Sequence, residues 1–161
     1  GLYSQSEFDL SRLAHILPNT VEVGRSCVHP DYRTGATIGL LWNGLANYMM
    51  QRGYGYLLGC ASMSMADGGH NAANVYQSVK EKYLGPAEWR VFPNCPLPVA
   101  SLQNDLPPDV PTLIKGYLRV GCYVCGEPAW DADFNTADLL VMLPMERMNH
   151  RYMRHFMPKS A

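Results

Sequence analysis

No apolar run in this chain approaches the ~20 residues that a helix needs to cross a bilayer. Charge is also scarce. Only 17% of the 161 residues are Asp, Glu, Lys or Arg, and the net charge is −1, which leaves no basic surface for wholesale nucleic-acid binding. The stretch from Gly1 to Glu7 lacks the basic and apolar regions of a secretory signal, so a cytoplasmic protein is expected. The five cysteines are odd in number and give no disulfide framework. Cys122-Tyr-Val-Cys125 occurs without the second pair of a zinc site, in a strand-like run where positions three apart face opposite sides. These are read as reduced structural thiols, and no metal site is expected. The 47% hydrophobic content excludes a disordered chain, and the length suits one domain.

Strand and helix signals alternate along the chain. Residues 1–20 read as irregular, with a helix-start signal at Asp9 and Ser11 and a breaker at Pro18-Asn19. A strand is expected over 21–28, then an amphipathic helix over 37–51 with Ile38, Leu41, Leu45 and Met49 on one side. Gly53 and Gly55 end it before a buried strand over 56–62. After the turn at Asp67, a second helix spans 71–83 through Ala72, Val75, Tyr76, Val79 and Tyr83. A short strand is expected at 88–92. Residues 93–111, holding six of the twelve prolines, read as an ordered loop. Asp109 is expected to cap a third helix that Gly121 stops. Strands at 122–126 and 137–143 precede a final helix beginning at Pro144. The alternation implies an α/β fold with helices packed on a largely central sheet.

Chemistry concentrates in residues 21–42. A strand carrying Glu22 and Arg25 leads through a turn into a helix that opens with small residues. Such a start leaves backbone N–H groups free to bind phosphate, so Thr34, Gly35, Ala36 and Thr37 are candidate cradle residues and Arg33 a bridging cation. Glu22 and Arg25 share a face only if Gly24 forms a bulge; the pair is then either a buried ion pair or an amine-orienting carboxylate with its anchor. A transferase that holds a phosphate-bearing carrier while an amine attacks it fits this arrangement.

Other groups are weaker. Cys27 and His29 sit two apart on one strand face, the spacing of a Cys–His nucleophile pair, though Cys27 lies in an apolar run. Tyr76 is either a core residue or an acid for a leaving thiolate. His70-Asn71 is turn chemistry or the mouth of a site. Glu127-Pro-Ala-Trp-Asp131 with Asp133 is a solvated loop or a receiver for a cationic substrate. The last helix has Met145, Met148, Tyr152, Met153 and Phe156 on one face and Arg147, His150, Arg151 and Arg154 on the other. It either caps the core or meets an anionic membrane or carrier.

Val21-Glu-Val-Gly-Arg-Ser-Cys-Val28 followed by His29-Pro-Asp-Tyr-Arg-Thr-Gly35 resembles the fourth strand and carrier-binding loop of the GNAT N-acyltransferase superfamily. The resemblance is to its ornithine N-acyltransferase (hemolysin-like) group, which makes lyso-ornithine lipid from acyl carrier protein thioesters. Leu40–Ala46, Tyr56–Ser62, Lys115–Arg119, Cys125–Asp131, Phe134–Asp138 and Pro144–Met148 resemble that group too. The Glu22-x-x-Arg25 spacing is also similar to that of acyl-homoserine lactone synthases.

The resemblance implies a single GNAT-like acyltransferase domain over residues 1–161, N-terminally truncated and lacking the first strands of its mixed sheet. It implies Glu22 as the residue that orients the amine and Arg25 as its partner. Backbone of the strand ending at Val28 would bind the pantetheine arm. Acyl-phosphopantetheine, on acyl carrier protein or CoA, would be a co-substrate, with no permanently bound cofactor. The usual acetyl-CoA loop, Arg/Gln-x-x-Gly-x-Gly/Ala, is not reproduced, since Gly35 follows Arg33 one place early. That favours acyl carrier protein, with ornithine as acceptor and peripheral membrane contact through 144–156. N-acyl amino acid synthesis and acetyl-CoA-dependent acetylation are alternatives. A non-catalytic carrier-protein or membrane-binding module is a further one.

Overall fold

A computed structural model of the protein describes residues 1–24, 29–32 and 35–148. The described strands are β1 (Phe8–Asp9), β2 (Thr20–Val23), β3 (Tyr56–Ser64), β4 (Phe92–Pro93), β5 (Tyr123–Val124), β6 (Ala129–Asp131) and β7 (Thr136–Pro144). The helices are α1 (Gly35–Arg52), α2 (His70–Tyr83), α3 (Val99–Leu102) and α4 (Thr112–Val120). β3 and β7, the two most continuous apolar runs, pair antiparallel along their whole length from Tyr56↔Pro144 to Ser64↔Thr136. β2 adds in parallel at one edge, Thr20↔Tyr56 through Val23↔Gly59, while β5 and β6 pair antiparallel with β7. The result is the expected mixed α/β sheet flanked by helices. Parallel β2 and β3 need a crossover, and α1 supplies it.

The sheet's period of two sorts side chains into two cores. Val21, Val23, Leu57, Ala61, Met63, Leu139, Val141 and Leu143 face α1, α2 and α4, where they meet Trp42, Met49, Val75, Val79, Ile114 and Leu118. Leu58, Leu140 and Met142 face the other way and meet Phe8, Leu10, Leu13 and Ile16. The N-terminal stretch is therefore a packing layer. It consists of 3-10 turns at Tyr3–Ser6, Ser11–Leu13 and Leu17–Asn19, with the short pair β1–β4 between them.

Several local expectations shift. The inward stripe of α1 is Trp42, Ala46 and Met49, and Leu41 is 58% exposed. The Trp42 ring takes the sheet-facing position by packing edge-on against Tyr117 at 5.6 Å, which rotates the stripe by one residue. The expected strand at 88–92 is a 3-10 turn, Ala87–Trp89, followed by β4. Pro111, not Asp109, precedes α4; the Asp109 amide instead donates to the side chain of Asn71. Gly121 does close α4, in a left-handed conformation (φ +118) whose Cβ would lie 2.5 Å from the Arg147 carbonyl. Residues 129–131 of the acidic loop form β6, because their backbone completes the edge of β7. Pro144 ends β7 opposite Tyr56 and is followed by a 3-10 turn, Met145–Arg147; residues 149–161 lie outside the described part.

Candidate active site

Register places a line of polar groups on the N-terminal face of the sheet. Glu22 pairs with Leu58, so its side chain shares that face, and so do Cys60, opposite Leu140, and Asp138, opposite Ser62 and Ala129. Asp131, opposite Thr136, joins them from β6. The turn Tyr3–Ser6 lies over this line. The Glu22 carboxylate accepts hydrogen bonds from the Tyr3 amide (2.7 Å), the Ser4 amide (2.9 Å) and the Ser4 hydroxyl (2.6 Å). Of the roughly four lone-pair directions of a carboxylate, these use one on Oε1 and two on Oε2. One direction on Oε1 remains for an amine.

Ser4 is 1% exposed, and its hydroxyl is also 3.6 Å from the Cys60 sulfur. Burial pushes the Cys60 thiol up to about 12, so it is a neutral thiol and not a nucleophile. Beyond Cys60, single carboxylate oxygens of Glu7, Asp131 and Asp138 lie within 4.8 Å of one another. Burial first, and then the Asp138 carboxyl, pushes Glu7 up to about 8. Asp138 is 3% exposed and accepts from the Thr136 hydroxyl at 3.1 Å. A cleft of about 350 Å³ lies beside this group, lined by Tyr3, Glu7, Asp131, Asp133, Trp130 and Phe134 among others; Asp138 does not line it.

Of the residues expected to act, Glu22 is in this line. Tyr76 is on the opposite face, 6% exposed within the α2 core, so the sheet stands between the two. Burial, then the Glu127 carboxylate, raises its phenol above the usual range. Gly35, Ala36 and Thr37 form the first turn of α1, also on the Tyr76 side of the sheet. Arg25, Cys27, Val28, Arg33 and Thr34 lie outside the described residues, and with them the Gly24 bulge and the Cys27–His29 pair. His29 itself is exposed, with its Nδ1 3.6 Å from Asp31. Cys122 and Cys125 sit in different cores, and burial raises both thiols, Cys125 to about 12. His70 and Asn71 bond the proline-rich loop at Leu102 and Asp109 and do not line the cleft.

Sequence reasoning missed Ser4, Glu7 and Asp138. Asp138 is hidden inside an apolar run. A usable signal for the N-terminal pair was the spacing Leu10, Leu13, Ile16, which marks residues 1–20 as buried and so makes a polar residue beside them notable.

Residues 1–43 match the acetyltransferase (GNAT) domain. The mixed sheet flanked by helices is consistent with that fold. The chain is similar to L-ornithine N(alpha)-acyltransferases. The Brucella abortus protein is 32% identical over 174 residues, 97% of this chain and 59% of the relative. The Agrobacterium fabrum protein is 34% identical over 170 residues, 97% of this chain and 56% of the relative. The Rhodobacter capsulatus protein is 34% identical over 160 residues, covering 93% of this chain and 60% of the relative. The chain thus spans well under two thirds of the length of these relatives. No solved structure matches it.

Proposed function

We propose that the protein transfers an acyl group from a phosphopantetheine thioester, carried on acyl carrier protein, to the α-amine of ornithine. The observation that carries this reading is the division of groups between the two faces of the sheet. The first turn of α1 and Tyr76 lie on one face; Glu22 and the acidic cleft lie on the other. Among the described residues β2 pairs with β3 from Thr20↔Tyr56 to Val23↔Gly59. A thioester reaching this edge of the sheet from the α1 side would meet an amine from the cleft side.

In this mechanism the amine nitrogen forms a bond to the thioester carbonyl carbon and the C–S bond breaks. Glu22 Oε1 orients the amine and takes its proton. The departing thiolate takes a proton from Tyr76, whose raised phenol stays protonated at neutral pH, and solvent returns that proton. Amides of residues 34–37 with Arg33 hold the carrier phosphate. Arg25 anchors Glu22, and the basic, Met-rich segment 144–156 meets the membrane that receives a long-chain product. Among the described residues no helix is long and apolar enough to cross that membrane.

The test incubates the protein with acyl carrier protein thioester and L-ornithine and follows Nα-acyl-ornithine by mass spectrometry. Glu22→Gln is expected to lower kcat/KM about 10²–10⁴-fold. Absence of any ornithine-acylated product removes the reading. Full turnover in Glu22→Gln makes Glu22 a tie between β2 and the Tyr3–Ser6 turn and nothing more.

A further inference from the structure

Glu22 sits at the tip of a flexible side chain, half-buried, on the outermost strand of the sheet among the described residues. A carboxylate that is to meet an amine must be held to within about 0.5 Å of its productive place. Among the described residues, the hydrogen bonds it accepts come from Tyr3 and Ser4. The Tyr3 amide takes Oε1 and the Ser4 amide takes Oε2, so two consecutive backbone donors grip the two oxygens as a fork. That fork alone would tie the N-terminal layer to β2. The third bond, from the Ser4 hydroxyl, is surplus to the tie.

The hydroxyl bond is also the shortest of the three, at 2.6 Å. That is the length of a charge-assisted O–H···O⁻ bond, about 2.5–2.7 Å, the stronger kind. Ser4 is 1% exposed, so bulk water does not compete for its hydroxyl. A carboxylate has no proton to give, so the Ser4 hydrogen lies toward Oε2. The Cys60 thiol, which burial keeps protonated, then donates to the Ser4 oxygen 3.6 Å away. The chain from S–H to O–H to carboxylate runs one way, and each link polarises the next. It fastens Glu22 to β3 as well as to the turn.

The turn is itself fixed. The Ser6 hydroxyl donates to the Tyr3 carbonyl at 2.7 Å, and the Asn94 side chain donates to the Gln5 and Ser6 carbonyls at 3.4 and 3.3 Å. The Asn94 amide donates to the Glu7 carbonyl at 2.7 Å, beside the β1–β4 pair. Donors held this way are in place before an amine arrives and need no reorganisation at the moment of reaction. With both lone pairs of Oε2 taken, an amine meets the carboxylate through Oε1.

We propose that Ser4 is the positioning residue of the amine site: its hydroxyl locks Oε2 of Glu22 and so presents the open direction of Oε1 to the amine. This rests on the role given to Glu22 above. Ser4 does not touch the substrate. It acts through Glu22, so its removal matters only while Glu22 is present.

The test is a cycle of four proteins: unaltered, Ser4→Ala, Glu22→Gln and the two changes together, each shown to be folded by thermal melts. Ser4→Ala removes one oxygen and leaves both amides of the fork. It is expected to lower kcat/KM for L-ornithine about 10–100-fold, the scale of a small misplacement of a reacting group. KM for the acyl carrier protein thioester is expected to stay the same. Beside Glu22→Gln, Ser4→Ala is expected to have no further effect. Calorimetric titration with L-ornithine alone reads the same cycle without turnover: Ser4→Ala weakens binding in the unaltered background and not beside Glu22→Gln. Equal losses in both backgrounds overturn the proposal, because Ser4 would then act on the fold. Full turnover in Ser4→Ala overturns it too, and leaves the role of Glu22 standing. Where the unaltered protein makes no acyl-ornithine, the acyltransferase reading falls and the binding cycle decides on Ser4 alone. Binding coupled through Glu22 then upholds the proposal, and uncoupled binding or none overturns it.

Discussion

At the scale of single residues, the protein keeps its unusual acid in a titration window that can be measured. Glu7 is raised from 4.5 to about 8 by burial and by Asp138, with Asp131 acting in the same direction and Cys60 against it. Between those pH values the folded chain holds a proton that the unfolded chain has released. Stability must then fall as pH rises through the window, and level off once the folded carboxyl has ionised. Glu7→Gln cannot ionise, so its advantage over the unaltered protein should be absent near pH 4 and grow steadily to pH 8.5. Urea unfolding at both ends of the range reads this directly. An advantage of the same size at pH 4 and pH 8.5 would assign it to packing.

At the scale of elements, the start of α2 does two jobs with one short polar stretch. The Asp67 carboxylate accepts from the Gly69 and Asn71 amides, each at 2.9 Å, and these bonds hold it below the usual carboxylate range. Side chains beyond the cap then fasten the proline-rich loop. Asn74 gives its amide to Asn104 Oδ1 at 2.7 Å and takes the Asn104 backbone N–H at 2.9 Å. Asn71 makes the same two-way bond with Asp109, at 2.9 Å in each direction. Prolines cannot donate, so this loop depends on side chains of α2 for order that a ladder would otherwise provide. Asn74 is only 7% exposed, and Asn74→Ala removes its bonds to Asn104 and Leu106, which are exposed enough for water to replace them. It should cost about 0.5–1.5 kcal/mol and open residues 103–109 to proteolysis before the sheet unfolds. Equal protection of that loop in the variant would contradict the strap. The sequence made α2 and α4 easy to see, since their apolar positions recur at helical spacing. It hid the strap, because a pairing between Asn74 and Asn104 leaves no local pattern.

At the scale of the whole molecule, what was legible divides along the two faces of the sheet. The α1, α2 and α4 face follows period-two strands and 3.6-residue helices, and Val75, Val79, Ile114 and Leu118 fall where those periods put them. The opposite face is covered by 3-10 turns and a two-residue strand, whose side chains follow neither period. Phe8, Leu10, Leu13 and Ile16 therefore read as loop although they are buried. The candidate site inherits that blindness: Glu22 stood out as an acid within a strand, whereas Ser4 and Glu7 belong to the layer that could not be read. Both cores nevertheless share β3 and β7, the longest paired element in the chain. Loosening the N-terminal layer should then weaken the molecule as one unit. Leu13 is fully buried, and Leu13→Ala should cost about 2–5 kcal/mol. The loss should be the same by two reporters, Trp89 against the N-terminal core and Trp42 within the other. Variants retaining one tryptophan each, unfolded in urea, measure both midpoints. Coincident shifts mean that the turns carrying Ser4 and Glu7 are held with the global stability of the sheet. A shift at Trp89 alone would make that layer a separately melting cover, and the Glu22 tie and the acid cluster would be lost while α1 and α2 were still folded.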